Sequence, residues 1–530
     1  MSQAITFYQR ESFVYIVAII ASVLLSAWIN THEAVINVDA ICYILSAEAL
    51  SQFDLHGAMH VCPQAKWPFY SVLIYGLAKI TTLSYIAAAY LLDAVFSALS
   101  VITFIAIVAR TRSLCTGTTQ LTSSSLNAAP RTQKTCTSYM WLAMFVILAS
   151  HQFNSVRQYI VRDHGFWAFY LASIYFLLQY VENASWKKAL AWNASLLAAT
   201  LFRIEGAIFL LALPFVTFFL PTFSWRQRAT RFMQLYAPTL IVCVGIALWL
   251  LLHPQQTLEK LGRVHEVINQ LQNGIVLIVE RYQGAKRAII QYVLLSEAAR
   301  DADLVLPLTL LIWYVVNICG NLSWPYTLLV LYAWFTRAAS FKRTTLFVLG
   351  AYLLINLFIT FGFFAQHLFL AKRYLIAFSL VLMMWVPFAL DKLWQQTTEK
   401  RIWFGMATAA ILLSASGGII SFGYSKTYLH EAGTWVAKNV PEKAAVYIND
   451  YQLMYYTERY RHDFFPTIER YTRTDTLSQG KWKQYDYLAL RIGKHDHEKQ
   501  LAFLQKLSLS PAKEFVNERG DKVVIYKVRR

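Results

Sequence analysis

Charged residues are scarce in this sequence. Only 15% of its 530 residues are Asp, Glu, Lys or Arg, whereas 57% are hydrophobic. A soluble enzyme of this length carries more charge, so the composition excludes that class and predicts a polytopic membrane protein. Acidic residues are fewer than basic residues, and the resulting net charge of +18 could suggest a nucleic-acid partner. Helical membrane proteins keep Lys and Arg in cytoplasmic loops, however, and we expect that cause here, with no nucleic acid bound.

Cysteines and metal-binding motifs are also few. The sequence has six cysteines and no CxxC or HExxH spacing, which argues against a structural zinc site. A divalent cation as cofactor stays an open question, because the spacing of the candidate ligands neither requires nor excludes one. Cys42 and Cys62 share the first segment predicted to lie outside the membrane, where an oxidising compartment would allow a disulfide. Both the bridged and the free state therefore stay open.

Long apolar runs take the place of charge. A span of the bilayer needs about 20 apolar residues. The run near the N-terminus lacks a small-residue cleavage site, so it predicts an uncleaved first span. The run 304–336 is interrupted by "CGNLSWPY" and could be one broken span or two. Counted as one, it brings the predicted spans to eleven: 12–29, 84–109, 139–153, 165–181, 188–202, 205–220, 233–252, 304–336, 344–361, 374–391 and 402–422.

Basic residues orient these spans. If 68–82 forms a helix on the membrane surface, the short loops richest in Lys and Arg all fall on one side, which is then the cytoplasm. The Ser/Thr-rich segment 111–138 becomes a cytoplasmic linker. Segment 30–83 and the tail from 424 lie outside. We therefore expect a multi-pass protein, of a bacterial inner membrane, with its active site facing the periplasm.

The tail differs from the rest of the chain in composition. Residues 1–423 predict a transmembrane domain with outer juxtamembrane loops, whereas 424–530 mix short strands with amphipathic helices. We predict strands at "AAVYIND" and "YDYLALRI", a helix at "DHEKQLAFLQKL" and a hairpin at "KEFVNERGDKVVIYKV". The predicted fold class is mainly α: a bundle of about eleven transmembrane helices with juxtamembrane helices and a small C-terminal α/β domain.

Asp39 stands at the start of the first predicted outer segment, in the stretch "NVDAICYILSAEAL". An ordinary interpretation exists, because Asn37 could cap a helix whose first turn favours the negative charge of Asp39. A catalytic interpretation is also open, since Asp39 and Tyr43 are four residues apart and share one helix face.

Further ionisable residues collect at the predicted outer ends of spans. Such residues are costly at membrane boundaries and often functional. Their ordinary interpretations are mutual ion pairing, snorkelling of long basic side chains to lipid headgroups, and solvation of the histidines in loops. The residues in question are Asp163, His164, Arg203, Glu205, His367, Lys372 and Arg373.

Taken in order, these stretches resemble a known class of enzymes. They are "VDAICYILSAE", "AKWPFYSVLIYGLAKI", "VRDHGFWAFYL", "LFRIEGAIFLLALP", "AKRYLIAFSLVL" and "HEAGTWVAKNVPEKAAVYIND". Together they are similar to the GT-C class of integral-membrane glycosyltransferases, in the branch that holds protein O-mannosyltransferases, the lipid A aminoarabinose transferase and bacterial lipopolysaccharide-sugar transferases. The resemblance covers nearly the whole chain, and the order and membrane placement of the stretches carry it more than any single motif.

The resemblance implies an enzyme that moves a sugar from a polyprenyl-phosphate-linked donor to a lipid, glycan or protein acceptor on the outer side. It implies that Asp39 matches the catalytic acidic position, that Lys66 binds the donor phosphate and that Asp163 lines the cavity. Many members carry a second acid directly after the first, where this chain has Ala40. This departure weakens the case for a metal held by paired acids.

The residue types agree with such a reaction. A lipid phosphate is already a good leaving group, so positive charge on the departing phosphate helps more than a general acid. The acceptor hydroxyl must lose a proton, which suits one carboxylate acting as base, and a single displacement inverts the anomeric carbon. A transporter or lipid-linked-sugar flippase is the alternative, although the sequence has no convincing internal repeat.

We therefore assign a role to each candidate residue. The catalytic candidates are Asp39 and Asp163. The candidates for binding the donor phosphate are Lys66, Arg203, Lys372 and Arg373. The candidates for lining the cavity are Tyr43, His164, Glu205 and His367.

Overall fold

The structure is a computed structural model of the 530-residue chain. Statements about structure below refer to the residues that it describes. These are 10–32, 35–52, 55–62, 67–116, 129–220, 223–252, 263–397, 401–420, 423–461, 463–472, 480–494 and 509–528.

Helices dominate the described chain. In chain order they are α1 (Glu11–Thr31), α2 (Val38–Gln52), α3 (Leu55–Val61), α4 (Phe69–Thr81), α5 (Tyr85–Thr116), α6 (Ala129–Leu148), α7 (His151–Ser155), α8 (Asp163–Glu182), α9 (Trp186–Phe202), α10 (Glu205–Ala212), α11 (Trp225–Leu252), α12 (Arg263–Tyr292), α13 (Ala302–Leu322), α14 (Trp324–Phe335), α15 (Arg343–His367), α16 (Ile376–Leu382), α17 (Val386–Trp394), α18 (Ile402–Ile419), α19 (Thr427–Asn439), α20 (Tyr451–Tyr456) and α21 (Phe464–Thr472). Four strands lie after α19: β1 (Val446–Ile448), β2 (Tyr487–Ile492), β3 (Pro511–Val516) and β4 (Lys522–Lys527).

Seven helical segments of the described chain are long and apolar enough to cross a membrane, judged by length and composition. They are Glu11–Thr31, Tyr85–Thr111, Trp225–Trp249, Glu297–Leu322, Arg343–His367, Lys372–Trp394 and Ile402–Ile419. Shorter apolar helices occupy Phe69–Thr81, Thr137–Leu148 and Glu205–Phe219. The predicted spans 165–181 and 188–202 are also helical, as α8 and α9. The helical bundle is thus confirmed, while the number eleven stays a prediction.

The chain divides into two compact units. The first comprises Met1–Ala27, Asp93–Arg157 and Arg162–Ile420, and the second comprises Trp28–Leu92, Gln158–Val161 and Ser421–Arg530. This division differs from a simple cut near residue 423, because Trp28–Leu92 groups with the C-terminal tail. Hydrogen bonds across that grouping explain the difference: Gln452 Nε2 donates to the Ile36 carbonyl at 2.6 Å, and the Ile36 amide donates to the Tyr456 hydroxyl at 2.9 Å.

Buried polar side chains cross-link the helices of the first unit. Asn356 of α15 donates to the Tyr170 hydroxyl of α8 at 2.6 Å, and Trp192 of α9 donates to the Tyr352 hydroxyl at 3.2 Å. Ser173 completes the network at 2.9 Å from the Tyr352 hydroxyl. Polar groups buried in an apolar bundle are stable only when they are paired in this way.

The interrupted run 304–336 forms two helices. α13 ends at Leu322 and α14 begins at Trp324, with Ser323 between them at a positive φ of 70°. The side chain of Asn321 holds this break in place, because its amide donates to the Lys372 carbonyl at 2.6 Å and accepts from Ser379 at 2.8 Å. The structure thus locates the break, and whether it lies within one span or between two stays open.

The predicted α/β domain has a four-stranded sheet in the order β1-β2-β4-β3. β1 runs parallel to β2, while β4 is antiparallel to both β2 and β3. The predicted hairpin of β3 and β4 is confirmed, and Gly520 adopts the positive φ of 94° that its turn requires. Tyrosines and aliphatic residues such as Tyr447, Leu488 and Tyr526 fill the core. The helix predicted at 496–507 lies outside the described residues.

The predicted cytoplasmic linker 111–138 is shorter than the sequence suggests. α5 continues to Thr116 and α6 begins at Ala129, so both ends of the segment are helical. Both flanking helices carry Arg and Thr at these ends, and such polar residues are compatible with a helix that extends beyond the bilayer.

Candidate active site

Arg203 is the centre of a buried ionic cluster in the first unit. Its Nη1 donates to Asp163 Oδ1, and its Nη2 donates to Glu205 Oε1. The side chains of Arg203 and Asp163 are only 11% and 4% exposed. One guanidinium therefore bridges two carboxylates in a site with little water, where charge-assisted hydrogen bonds are strong.

The ends of three helices bring this cluster together. Asp163 is the first residue of α8, Arg203 follows the last residue of α9, and Glu205 is the first residue of α10. The amide groups at a helix N-terminus favour negative charge, so both carboxylates lie where the helix dipole stabilises them. The turn between α9 and α10 is tight, since the Gly206 amide donates to the Arg203 carbonyl at 3.0 Å.

Two glycines allow the helices to approach this closely. A side chain at Gly165 would collide with the ring of Phe202, and one at Gly206 would collide with the backbone of Thr200. Gly165 lies two residues after Asp163, and Phe202 lies directly before Arg203. The absence of a side chain at Gly165 thus sets how near α8 and α9 can bring the carboxylate and the guanidinium.

Tyr374 provides an aromatic face for two arginines. The Arg203 guanidinium lies 4.6 Å from the centre of its ring, and the Arg373 guanidinium lies 5.4 Å from it. Phe363 packs edge-on against the same ring, with centroids 4.8 Å apart. Cation–π contacts of this kind orient guanidinium groups without neutralising their charge.

The cluster carries more positive than negative charge. Arg162, Arg203 and Arg373 all interact electrostatically with Asp163. Three arginines against the two carboxylates of Asp163 and Glu205 leave an excess of about one positive charge. Burial opposes the charge of Arg203, but the carboxylates of Asp163 and Glu205 outweigh burial and raise its pKa well above the ordinary value. Arg203 therefore stays a cation at every physiological pH.

Lys372 and His367 are placed differently from Arg203 and Arg373. Lys372 is exposed, and its backbone carbonyl accepts a hydrogen bond from Asn321 at 2.6 Å. His367 is exposed at the end of α15, where its ring lies 4.4 Å from that of Phe363. Neither side chain belongs to the buried cluster around Arg203, so their predicted roles depend on an exposed surface.

His164 does not lie in a solvated loop, and that interpretation of the sequence is wrong. The residue is 1% exposed, with Nδ1 3.2 Å from the Ser97 hydroxyl and Nε2 3.3 Å from the Val156 carbonyl. Trp167 packs edge-on against it. His164 follows Asp163 in α8, and its side chain is buried among the helices. A role for His164 in lining a cavity stays a prediction.

Asp39 lies in the second unit, in the first turn of α2 and half-buried. Asn37 precedes the helix, and its carbonyl accepts from the amide of Ala40 at 3.0 Å. The Asn37 side chain, however, pairs with the backbone of Ile160, donating at 3.3 Å and accepting at 3.0 Å. The Asn37 side chain therefore holds the 158–161 segment against α2, while Asp39 lies in the first turn as its ordinary interpretation expects.

The face of α2 that carries Asp39 is braced by its neighbours. Tyr43 is buried one turn after Asp39 and packs edge-on against Tyr70 of α4, with centroids 5.0 Å apart. A disulfide joins Cys42 to Cys62 at the end of α3, with Cα atoms 5.4 Å apart. Lys66, the candidate phosphate ligand before "WP", lies outside the described residues.

A metal ligand set is not evident at either site. Asp163 and Glu205 already share Arg203 as their counter-charge. In the part of the chain that the structure describes, no group of three or more His, Cys, Asp or Glu could hold a metal ion. A divalent cation therefore stays a prediction for which these residues provide no site.

Sequence reasoning missed two partners of the cluster. Tyr374 follows Lys372 and Arg373 directly, and an aromatic residue next to paired basic residues is the signal that could have found it. Arg162 stands before Asp163 in "VRDHG" but received no role. The pairing of Arg203 with Glu205 was foreseen as an ordinary ion pair, whereas its simultaneous pairing with Asp163 needs the packing of α8 on α9.

Similarity to known proteins is found in structure and not in sequence. The sequence matches no protein-family profile and no curated protein. The structure is similar to that of ArnT from Cupriavidus metallidurans in the apo state, with a TM-score of 0.50 and 13% identity over 98% of this chain and 99% of that chain. Further similar structures are ArnT of the same organism bound to undecaprenyl phosphate (TM-score 0.49, 12% identity, 97% and 98% covered) and an oligosaccharyltransferase of Archaeoglobus fulgidus in complex with zinc and sulfate (TM-score 0.34, 13% identity, 86% and 57% covered). At the level of fold, the likeness to apo ArnT agrees with the fold that the resemblance to the GT-C class implies.

Proposed function

We propose that this protein is an inverting glycosyltransferase, which moves a sugar from a polyprenyl-phosphate-linked donor to an acceptor on the outer face of a bacterial inner membrane. The observation that carries the proposal is the cluster of Arg162, Arg203 and Arg373 around two carboxylates. An anionic ligand fits its excess positive charge, and a membrane bundle suits a ligand with a lipid tail.

In this proposal the arginines stabilise the departing lipid phosphate. Bond cleavage at the anomeric carbon leaves two negative charges on that phosphate, and cations fixed in advance lower the barrier because they need no reorganisation. Arg203 and Arg373 are already oriented by the Tyr374 ring. Lys66 and Lys372 are proposed to add positive charge to the same phosphate.

The two aspartates are proposed to act differently. Asp163 is occupied by Arg203, and a carboxylate held by a guanidinium is a weak base. We assign Asp163 to orienting Arg203 and Asp39 to taking the proton from the acceptor hydroxyl. As the hydroxyl oxygen bonds to the anomeric carbon, the bond from that carbon to the phosphate oxygen breaks, its electron pair leaves with the phosphate, and the proton goes to Asp39.

Tyr43, Glu205 and His367 are proposed to shape the space for the donor sugar, together with His164. Which hexose or pentose is moved, and whether a lipid, glycan or protein accepts it, are separate questions. Mass spectrometry of lipopolysaccharide and surface glycans from cells with and without this protein should reveal the mass of the transferred sugar.

The test is transfer by the purified protein in detergent. The donors are radiolabelled polyprenyl-phosphate hexoses and pentoses, and the acceptors are total envelope glycolipids and glycans from cells that lack the protein. We expect label to reach an acceptor with inverted anomeric configuration, as read by anomer-specific glycosidases and by NMR of the product. Label that stays on the donor in wild type, with every donor, would refute a transferase.

A transporter or flippase has one observation in its favour, the break between α13 and α14 at Ser323. Interrupted helices are typical of transporters. A flippase does no chemistry in detergent but moves labelled donor between the two leaflets of a proteoliposome. Leaflet exchange without sugar transfer would favour this second candidate.

The predicted orientation can be tested in the same cells. A cysteine introduced as Ser478→Cys should react with a membrane-impermeant reagent added from outside, whereas Ser124→Cys should not. Reaction at Ser124→Cys alone would place the active site on the cytoplasmic side.

A further inference from the structure

A cavity of about 530 Å³ lies in the second unit. Its wall includes Glu48 and Gln52 of α2, His60 of α3, Tyr85 at the start of α5 and Arg461 of the C-terminal tail. The volume lies within the range of about 300–1,000 Å³ that is typical of small-molecule sites. The cavity is therefore large enough for one or two sugar rings.

This cavity is distinct from the candidate site at Asp39. Glu48 lies nine residues after Asp39 on the same helix. At about 100° and 1.5 Å per residue, nine residues turn the side chain by half a revolution and move it by roughly 14 Å. The cavity therefore opens on the face of α2 opposite to Asp39.

Arg461 and Glu48 form the charged part of the wall. Arg461 Nη1 lies 3.1 Å from Glu48 Oε1 and 3.0 Å from Oε2, across 413 residues of sequence. The side chains keep 41% and 21% of their surface exposed, so neither is closed off from the cavity. The pair also joins the first outer segment to the α/β tail within this unit.

The backbone that presents Arg461 is strained. Glu458 and Tyr460 have positive φ values of 56° and 59°, which residues with a side chain rarely adopt. Such conformations persist only where surrounding contacts enforce them, and they concentrate at ligand sites.

Two neighbouring side chains enforce that backbone. Arg459 donates to four carbonyls, those of Val440, Pro441, Glu442 and Ala444, at 2.6–3.1 Å. The Tyr460 hydroxyl lies 3.3 Å from the Val446 amide and 3.1 Å from its carbonyl, at the edge of the sheet. Between them these contacts fix the segment, and Arg461 is the residue that the strained turn directs to the cavity.

The chemistry of the wall selects against an anion. Glu48 offsets the charge of Arg461, so a phosphate would have to displace a carboxylate and then lie beside it. A polyhydroxylated neutral ligand meets no such penalty, because carboxylate oxygens accept from hydroxyls and guanidinium and amide groups donate to them. Tyr85 and His60 add ring faces to this set.

We propose that this cavity is a carbohydrate-binding subsite, which holds a neutral sugar of the acceptor through Glu48 and Arg461. The inference rests on the proposed function, because only a transferase has an acceptor. It names a glycan as the class of that acceptor. It also gives the C-terminal tail a role, since the tail supplies Arg461. The subsite lies away from Asp39, so it recognises a sugar other than the one that receives the transferred residue.

The test is direct binding of the full-length protein in detergent to an array of neutral oligosaccharides, phosphorylated oligosaccharides and peptides. We expect at least one neutral glycan to bind, with about tenfold or greater loss of affinity in Glu48→Gln and in Arg461→Ala. Lys438→Ala, which removes an exposed basic residue from α19, should bind as wild type does.

A second variant separates binding from folding. Gln52→Trp leaves the ion pair intact and places a large ring at the cavity, so it should abolish glycan binding without lowering the temperature of thermal unfolding. Binding of only phosphorylated glycans or only peptides, binding of nothing, or equal binding by wild type and all three cavity variants would each overturn the proposal.

The two proposals fail separately. If wild type binds neutral glycans but transfers no sugar with any donor, the subsite stands and the transferase falls. If it transfers sugar but binds no neutral glycan, the transferase stands and the subsite falls.

Discussion

Asp39 and Asp163 lie in similar local structure but in different surroundings. Each occupies the first turn of a helix, α2 or α8, where negative charge is favoured. Asp163 is 3% exposed and paired with Arg203, whereas Asp39 is half-buried on a helix braced by a disulfide and by Tyr43. The difference shows that helix position alone does not assign a role to a carboxylate. At Asp163, the buried guanidinium of Arg203 makes the carboxylate a weak base.

The comparison extends to the residues that hold each aspartate in place. Arg203 fixes Asp163 by an ion pair, so removing either partner leaves a buried charge. Asn37 holds the backbone ahead of Asp39 by neutral hydrogen bonds to Ile160, which do not change the charge of the carboxylate. Variants of the two sites should therefore separate loss of chemistry from loss of stability.

The largest expected effect is at Asp39. Asp39→Asn should lower the rate of sugar transfer by about 10²–10⁴, because Asn cannot accept the proton of the acceptor. Asn stabilises a helix start about as well as Asp does, so the unfolding temperature should not change. The measurements are single-turnover transfer, donor binding and thermal unfolding in detergent. Turnover near the wild-type rate would return Asp39 to an ordinary first-turn residue.

Asp163→Asn is the matched variant at the other site. It should cost more stability than Asp39→Asn and less of the chemical step, since Arg203 loses one of its two carboxylates. If Asp163→Asn instead abolished single-turnover transfer at unchanged stability, the two assignments would have to be exchanged.

The next largest effect is expected on stability. Arg203→Ala removes the counter-charge of two carboxylates, and breaking a buried ion pair costs about 3–5 kcal/mol of unfolding free energy. Arg110→Ala is the control, because its pair with Glu182 is 25% exposed on both sides and should contribute about 1 kcal/mol or less. Unfolding in mixed detergent and dodecyl sulfate micelles measures both. Equal losses would mean that the Arg203 cluster is not buried in the membrane protein.

A smaller effect concerns the donor. Arg373→Ala and Lys66→Ala should each weaken binding of a polyprenyl-phosphate sugar, since each removes a charge-assisted contact of about 1.5–3 kcal/mol, or roughly 10- to 150-fold in affinity. Binding can be followed by equilibrium dialysis of labelled donor. Arg343 begins α15, whereas Arg373 follows the other end of that helix. Arg343→Ala should therefore leave the donor affinity unchanged. Unaltered affinity in both donor-site variants would move the phosphate elsewhere.

The smallest effect tests how α8 and α9 bring the cluster together. Gly165→Ala should destabilise the protein by about 1–3 kcal/mol, because its methyl group meets the Phe202 ring. Gly350→Ala in α15 has open space and should be neutral or stabilising by up to about 1 kcal/mol. Thermal unfolding of both variants gives the sign of each change. A stabilised Gly165→Ala would show that the contact between α8 and α9 is loose.

Much of the fold follows from local sequence. Apolar runs predict the helices of the bundle, and the Gly-Asp turn with alternating apolar residues predicts the hairpin of β3 and β4. The candidate site is predictable in part, since Asp163, Arg203 and Glu205 were all selected for their position at span ends. Tyr374 follows Lys372 and Arg373 directly in the sequence, but its contact with the distant Arg203 depends on packing, so the local pattern indicates only part of its role.

What the sequence determined by itself is therefore the class of protein, the helical bundle with its α/β tail, and the set of ionisable residues at the span ends. Hydropathy and charge are properties of individual residues, so their pattern along the chain predicts these features. The tertiary structure alone decided which charges meet. Arg461 reaches Glu48 across 413 residues, and Asn37 meets Ile160 across 123. Pairing between residues so far apart in the sequence leaves no periodic pattern. Composition gives the number of charges in a chain, whereas packing decides which two residues share a hydrogen bond.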